Sequence, residues 1–209
     1  TDFIAKEDGL MTARMKAAGA IVIGKTNVPE FGLGSHTFNE VFGATRNAYD
    51  PAKSAGGSSG GAAVALALRL LPVADGSDFM GSLRNPAAWN NGFGMRPSQG
   101  RVPLWPAVDV WINQLVTEGP MGRSVRDVAR LLQTQAGWSP DTPLSIAASA
   151  DWAVAEGRFD LKSQRIGWLG DLDGYLAMEP GILDACTQGL QRLEGLGCAV
   201  APARLGMPP

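Results

Sequence analysis

The stretch Ala55-Gly-Gly-Ser-Ser-Gly-Gly-Ala62 is the sharpest local feature of the sequence, and it leads directly into an Ala- and Leu-rich segment. Four glycines around two serines allow backbone conformations closed to other residues and let a substrate approach the main chain. A flexible linker is the bland alternative, but the helix predicted over Gly60–Leu71 begins at once. A Walker phosphate loop would need Lys-Ser/Thr where Ala62-Ala63 stands, and a dinucleotide-binding loop would need a preceding strand that is absent here.

A second feature lies downstream, in the stretch Asp75-Gly-Ser-Asp-Phe-Met-Gly-Ser-Leu-Arg84, between a predicted strand and a predicted helix. Ser82 is expected where free backbone N–H groups point outward at the start of the helix. The alternative is that Ser82 is an ordinary N-cap residue. Taken alone, this stretch favours the N-cap interpretation.

Predicted helices and strands alternate around these two features. Apolar residues at helical spacing predict helices, short apolar runs predict strands, and Asp75–Asp78 indicates a turn. We therefore expect an α/β fold with a mixed, largely parallel sheet flanked by helices, in a single domain over residues 1–209. The predicted helices are Glu7–Ala18, Gly60–Leu71 and Gly181–Leu196, with others starting after Gly81 and Ser124, and the predicted strands are Ala20–Ile23, Leu71–Ala74, Arg165–Leu169 and Cys198–Ala201.

Composition and charge exclude several classes of function. The chain has 209 residues with 18 Lys+Arg against 20 Asp+Glu, so it has no basic excess for nucleic-acid binding. The single histidine, His36, excludes a His-rich metal site, and two cysteines are too few for a disulfide framework. No apolar run is long enough to span a membrane and no signal-peptide pattern opens the chain, so a cytoplasmic protein is expected.

Four blocks of sequence, taken together, resemble the amidase signature family. Their order and spacing match that family from Glu7 to Ala129, and the block Gly119–Asp127 continues the likeness more weakly. The resemblance implies an amidase-signature fold, of which this chain would hold only part. The blocks are Gly24-Lys-Thr-Asn-Val-Pro-Glu-Phe31, Gly56-Gly-Ser-Ser-Gly-Gly61, Gly76-Ser-Asp-Phe-Met-Gly-Ser-Leu-Arg-Asn-Pro-Ala87 and Gly94-Met-Arg-Pro-Ser-Gln-Gly-Arg-Val-Pro103.

The resemblance implies hydrolysis of amide bonds by a Ser-Ser-Lys triad. Ser82 matches the nucleophile, and Ser58 matches the bridging serine, which in the family follows a cis peptide bond and relays a proton. A serine hydroxyl is a poor nucleophile until a base takes its proton, and a buried neutral lysine would do so through Ser58. The family's catalytic lysine is not present in this chain, because Lys25 and Lys53 match no catalytic position. The chain is therefore expected to be an internal fragment of a longer amidase.

The same likeness implies an oxyanion hole built from four consecutive backbone N–H groups, those of Phe79, Met80, Gly81 and Ser82. Gly32, in the preceding loop, is implied to bind substrate on the acyl side. Met80 departs from the commoner family pattern, which has glycine there, and its Cβ disfavours positive φ, so a negative φ is expected. Nearby charged residues are expected to brace the turn rather than react: Asp75, Asp78 and Arg84.

These inferences lead to an amidase that converts a carboxamide into a carboxylate plus ammonia or an amine through an acyl-Ser82 intermediate. No metal or organic cofactor is expected, the expected partner is a small-molecule amide substrate, and neither nucleic acid nor a membrane is expected; a homodimer stays open. The alternatives are the glutaminase subunit of a tRNA amidotransferase, against which Met80 and Asn90–Asn91 speak, and a non-catalytic truncated remnant, which the missing lysine motivates. The 209-residue chain alone is expected to be inactive.

Overall fold

The computed structural model describes residues 4–111, 115–148, 151–152, 157 and 160–206. The chain divides into two compact units, Thr1–Glu156 and Gly157–Pro209. Each unit is described by itself below, and the single domain over residues 1–209 stays a prediction.

The first unit contains four α-helices and five short strands among its described residues. The helices are α1 (Leu10–Ala17), α2 (Gly60–Ala67), α3 (Arg84–Trp89) and α4 (Val125–Gln135), and the strands are β1 (Phe38–Asn39), β2 (Gly43–Ala44), β3 (Val73–Asp78), β4 (Phe93–Gly94) and β5 (Thr117–Gly122). Helix α4 begins as the sequence predicts, because the Ser124 hydroxyl accepts a hydrogen bond of 3.1 Å from the Asp127 N–H.

The main sheet of the first unit has the strand order β3-β5-β4. Strand β5 pairs antiparallel with β3, from Val73 opposite Gly122 to Asp78 opposite Thr117, and also antiparallel with β4. The predicted α/β class is confirmed, but this sheet is not parallel. The chain reaches β5 from β3 through α3 and β4 and returns alongside β3 in the opposite direction, which the alternation of elements alone did not reveal.

Two local predictions in this unit are wrong. Asp75–Asp78 is not a turn but the last four residues of β3, where Gly76 and the polar residues beside it pair with β5. The apolar run Ala20–Ile23 forms no strand, and Ile21 and Ile23 are 86% and 73% exposed. Apolar composition predicts a buried strand only where a partner strand is present, and none of the described strands pairs with this run.

Two apolar clusters form the core of the first unit, and β3 contributes to both because its side chains alternate between the two faces of the sheet. Ala74 packs against the first cluster, whose members are Ala62, Ala63, Leu66, Leu83, Ala87 and Met121. Val73 packs against the second, whose members are Met11, Met15, Val102, Leu131 and Leu132. The start of β3 is thereby held on both faces.

The glycine-rich run that leads into the first turn of α2 is packed against the long preceding loop. A Cβ at Gly57 would lie 2.7 Å from the His36 nitrogen, and one at Gly61 would lie 2.6 Å from the Asn27 nitrogen. A Cβ at Gly60 would overlap the Thr37 hydroxyl in the same way. The run is therefore a close contact between two segments of backbone, which excludes the linker interpretation.

The second unit consists of strand β6 (Arg165–Trp168), helix α5 (Ile182–Gly195) and strand β7 (Ala199–Pro202). The two strands pair in parallel, with Arg165 opposite Ala199, and α5 connects them. This is the parallel pairing that alternating strands and helices predict. Among all described residues, no helix combines the length and apolar character that a membrane span requires.

Candidate active site

Ser82 lies in the short turn between the end of β3 and the start of α3, and it is half-buried. The Asp78 carboxylate, fully buried, organises this turn from inside. Its Oδ1 accepts a hydrogen bond of 2.7 Å from the Gly81 N–H, and its Oδ2 accepts one of 3.1 Å from the Leu83 N–H. These bonds close the backbone around Ser82, so the turn is fixed by a residue four positions before the candidate nucleophile.

Two arginines neutralise the buried Asp78 carboxylate. Arg84 donates from Nε to Oδ2 and from Nη2 to Oδ1, each at 3.0 Å, and Arg96 donates from Nη1 to Oδ1 at 3.1 Å. Burial by itself would raise the pKa of Asp78, but the hydrogen bonds from Arg84, the backbone N–H groups and Arg96 outweigh it and hold this pKa well below its ordinary value. The expected bracing role is confirmed for Asp78 and Arg84 but not for Asp75, which pairs with Pro120 within the sheet.

The backbone N–H groups implied for an oxyanion hole are not equivalent. The Gly81 N–H is already bonded to Asp78, whereas those of Phe79, Met80 and Ser82 have no hydrogen-bond acceptor among the described residues. Gly81 has a φ of +112°, whereas Met80 is not among the described residues with positive φ, as the sequence predicts. Met80 is 81% exposed, so its side chain points into solvent and is not packed against the turn.

Ser58 is buried, and it precedes the residue that contacts the Ser82 turn. The Gly57–Ser58 peptide bond is cis, which confirms the expectation for this position. The next residue, Ser59, donates its N–H to the Ser82 carbonyl oxygen at 3.3 Å, so the two serine-containing segments are in direct contact. Among the described residues no hydrogen bond joins the two hydroxyl groups of Ser58 and Ser82.

A cavity of about 480 Å³, here called the cleft, opens beside Ser58. Ser58, Gly32 and Lys25 line it, whereas Ser82 does not. Lys53 does not line it and instead pairs with Asp50 on the surface at 3.9 Å. Apolar side chains make up much of the wall, among them Met11, Met15, Ile21, Val22, Ile23, Val28, Leu71 and Leu131.

Two carboxyl groups also line the cleft, those of Asp75 and Glu118, and the sequence analysis did not identify Glu118. Asp75 and Glu118 lie on the same face of neighbouring strands, because Asp75 pairs with Pro120 and Ser77 with Glu118. Desolvation raises the pKa of Asp75, and desolvation together with the Asp75 charge raises the pKa of Glu118 to about 7. Knowing the register of β3 and β5 would have placed Glu118 beside Asp75.

Two other residues noted in the sequence have structural partners. His36 bonds through Nδ1 to the Ser54 hydroxyl at 2.7 Å and lies near the Trp89 ring. Among the described residues, no hydrogen bond joins His36 to Ser58 or Ser82. Buried Asn90 donates to the carbonyl oxygens of Ala55 and Pro86, each at 2.9 Å. Asn90 therefore ties the glycine-rich run to α3.

Comparison with known proteins covers nearly the whole chain. A family model described as Amidase matches residues 1–209. A glutamyl-tRNA(Gln) amidotransferase subunit from Azotobacter vinelandii is 37% identical over 207 residues, which are 99% of this chain and 42% of that protein. A bacterial aryl acylamidase of the amidase signature enzymes superposes with a TM-score of 0.87 at 33% identity, over 98% of this chain and 42% of that chain. The 6-aminohexanoate cyclic dimer hydrolase with bound substrate gives 0.86 at 36% identity, over 95% and 42%. The chain thus spans less than half the length of these relatives.

Proposed function

This chain belongs to the amidase signature family, and from that premise we propose that the complete natural protein hydrolyses a carboxamide to a carboxylate plus ammonia or an amine through an acyl-Ser82 intermediate. The observation that carries the proposal is the position of Ser82. It is presented on a turn closed by the buried Asp78 carboxylate, and the Ser59 N–H holds its carbonyl oxygen at 3.3 Å. A nucleophile must be held at a fixed angle to its substrate, and this turn supplies that rigidity.

In the proposed reaction the Ser82 hydroxyl attacks the amide carbonyl carbon and loses its proton to Ser58. Ser58 passes a proton on to the base, which in the family is a lysine that this chain does not match, and the base returns it through Ser58 to the leaving amine. The C–N bond then breaks and leaves an ester on Ser82. Water adds to that ester, the C–O bond to Ser82 breaks, and the carboxylate leaves while the hydroxyl regains its proton.

The negative charge that develops on the carbonyl oxygen would be bound by the N–H groups of Phe79, Met80 and Ser82. These donors are free of other acceptors among the described residues, so they need no rearrangement when the charge appears. Gly81 is left out of the four donors that the family resemblance implies, because its N–H already donates to the Asp78 carboxylate. The proposed hole thus has three donors, with Gly32 on the acyl side of the substrate.

A second candidate function rests on the amidotransferase relative. As the glutaminase subunit of a tRNA amidotransferase, the protein would release ammonia from glutamine only together with partner subunits. Glutamine hydrolysis that appears on adding partner subunits would favour this function, and partner-independent hydrolysis of simple amides would favour the stand-alone amidase. A non-catalytic remnant is the third candidate, and an intact natural mass near 21.9 kDa would support it. Independence from cofactors, a cytoplasmic location and the oligomeric state stay predictions.

The proposal is tested by screening the complete protein and its Ser82→Ala variant against aliphatic, aromatic and peptide amides. The variant should lose at least about 10⁴-fold in kcat while its melting temperature stays near that of wild type, because only the attacking atom is removed. A sulfonyl fluoride should label Ser82 in the wild-type protein, as shown by peptide mapping. Ser98→Ala, at an exposed serine, is the matched control and should keep full activity. Turnover retained by a folded Ser82→Ala variant would contradict the proposal.

A further inference from the structure

Arg96 follows β4 and reaches across to the turn that carries Ser82. Its Nη1 donates to the Asp78 carbonyl oxygen at 2.5 Å and to the Phe79 carbonyl oxygen at 3.0 Å. Its Nη2 donates to the Leu115 carbonyl oxygen at 2.7 Å, which anchors the guanidinium to the segment before β5. The Arg96 side chain is only 26% exposed. Arg96 thus binds two consecutive backbone carbonyls just before the candidate nucleophile.

Holding those carbonyls also sets the direction of two N–H groups. In a trans peptide the C=O of one residue and the N–H of the next point in opposite directions. The peptide bonds after Asp78 and after Phe79 are not among the cis bonds of the described chain. With both carbonyls turned toward Arg96, the N–H groups of Phe79 and Met80 are directed away from it. They are two of the three donors in the proposed oxyanion hole.

We infer that Arg96 is a positioning residue for catalysis: by binding the carbonyl oxygens of Asp78 and Phe79 it aims the Phe79 and Met80 N–H groups at the carbonyl oxygen of the substrate. This inference rests on the proposed function. The positive charge on the carbonyl side also polarises each peptide group and makes its N–H a stronger donor. Arg96 therefore acts on charge that develops in the transition state, without touching the substrate.

The two arginines around Asp78 bind different acceptors. Arg84 bonds to the carboxylate oxygens, whereas Arg96 bonds to one carboxylate oxygen and to the backbone carbonyls as well. The Thr117 hydroxyl also donates to the Asp78 carbonyl, at 3.4 Å, but Arg96 is the described side chain that donates to the Phe79 carbonyl. A planar guanidinium fork can hold these acceptors at once, and a single ammonium cannot reproduce its geometry.

The test compares Arg96→Lys and Arg96→Gln with wild type in the complete protein, using the best amide found for the wild-type enzyme and the aldehyde of the same acyl group. Ser82 adds across the aldehyde carbonyl to give a hemiacetal whose oxygen occupies the proposed hole. Loss of well-aimed donors should lower kcat about 10²-fold in Arg96→Gln, since removing one such donor typically costs 10²–10³-fold. KM should change less than about threefold, the aldehyde's inhibition constant should worsen in step with kcat/KM, and Arg96→Lys should lose less.

Arg123→Gln is the matched control, because Arg123 also donates to a backbone carbonyl, that of Leu71 near the other end of β3. It should leave kcat and aldehyde inhibition unchanged. Three results would overturn the positioning role. They are a fall in kcat/KM that comes entirely from a raised KM, an unchanged inhibition constant for the aldehyde, and failure of both Arg96 variants to fold. Wild-type protein that hydrolyses no amide would overturn the proposed function itself, which separates that failure from failure of this inference.

Discussion

Asp75 and Asp78 lie three residues apart on the same strand, yet their surroundings shift the two pKa values in opposite directions. Asp78 points into the turn, where backbone N–H groups and two arginines surround it, and its pKa is held far below the ordinary range. Asp75 points into the cleft beside Glu118, where desolvation raises its pKa. The number of donors around a carboxylate, and not its depth alone, decides the direction of the shift.

The contrast extends to the two sides of the site. The Ser82 side is organised by charged hydrogen bonds among Asp78, Arg84 and Arg96, with further bonds to Ser59 and Leu115. The cleft side is walled by apolar residues such as Ile21 and Ile23, which are largely exposed, and by carboxyl groups that form no ion pair among the described residues. One side of the proposed site is held by charged hydrogen bonds, and the other presents exposed apolar surface.

After Ser82→Ala, the largest expected effect comes from the Ser58 hydroxyl on the cleft side. Ser58→Ala should lower kcat by about 10²–10⁴-fold, because it removes the proton relay and leaves the attacking atom. The double variant with Ser82→Ala should be no slower than Ser82→Ala alone, since members of one catalytic unit are not additive. Steady-state kinetics of the complete protein measure both. Strongly additive losses would show that the two sides act independently, which would break the comparison in its functional form.

A substitution at each of the two aspartates tests the contrast directly. Asp78→Asn leaves two arginines facing a neutral group and should cost about 3 kcal/mol of unfolding free energy at pH 7, near the low end for buried pairs because Arg84 is half-exposed. Asp75→Asn should stay within about 0.5 kcal/mol of wild type or gain stability, because it removes a desolvated charge. Urea unfolding of the complete protein measures both values. Equal costs for the two variants would contradict the comparison.

The pH dependence of Asp78 follows the same logic. Because its folded pKa lies below its unfolded value, its ionisation contributes stability that is fully present above about pH 5 and is lost as the pH falls through the acid range. The acid limb of a stability–pH profile should therefore be flatter in Asp78→Asn than in wild type.

Glu118, on the cleft side, should give a smaller pH dependence of stability than Asp78, and one of opposite sign. Its pKa is raised to about 7 by desolvation and by Asp75, with Lys25 the described cation on the same cleft. The unfolded state therefore releases its proton at lower pH than the folded state, so wild-type stability should fall as pH rises from about 5 to 7. Glu118→Gln should remove this part of the slope. Thermal unfolding between pH 5 and 8 provides the measurement, and parallel profiles for the two proteins would contradict it.

The smallest expected effect is at Met80, on the rim of the turn. Met80→Gly should broaden the accepted acyl groups to those branched next to the carbonyl, chiefly through kcat/KM. It should also lower stability by up to about 1 kcal/mol through added freedom of the unfolded chain. Met80→Ala is the matched control, because it removes the exposed side chain without that freedom. If Met80→Ala broadens specificity as much as Met80→Gly, side-chain bulk and not backbone freedom sets the limit.

Sequence patterns predicted the local features that a few adjacent residues determine. The cap at Ser124, helices α1, α2, α4 and α5, and the strands of the second unit follow from periodicity and turn chemistry, within a few residues at the ends. The pairing of Ser58 with a cis bond and the bracing by Asp78 followed from the family resemblance and the charged residues of the turn. These features depend on short spacings that a single sequence shows directly.

Long-range pairing could not be predicted in the same way. The exposure of Ala20–Ile23, the antiparallel sheet, and the meeting of Asp75 with Glu118 each depend on which strands lie side by side. Arg96 was missed for the same reason, since the turn that it binds lies 17 and 18 residues earlier in the chain. Register and crossover are properties of the whole fold, and apolar periodicity carries little information about them.

The contacts between the preceding loop and the glycines around the start of α2 limit how this site could be moved to another protein. Gly57, Gly60 and Gly61 leave no room for a side chain because His36, Thr37 and Asn27 lie against them. A designer who transplanted only the glycine-serine run would leave its packing surface behind. The smallest portable unit is two segments, the loop and the run, which must be grafted together and in register.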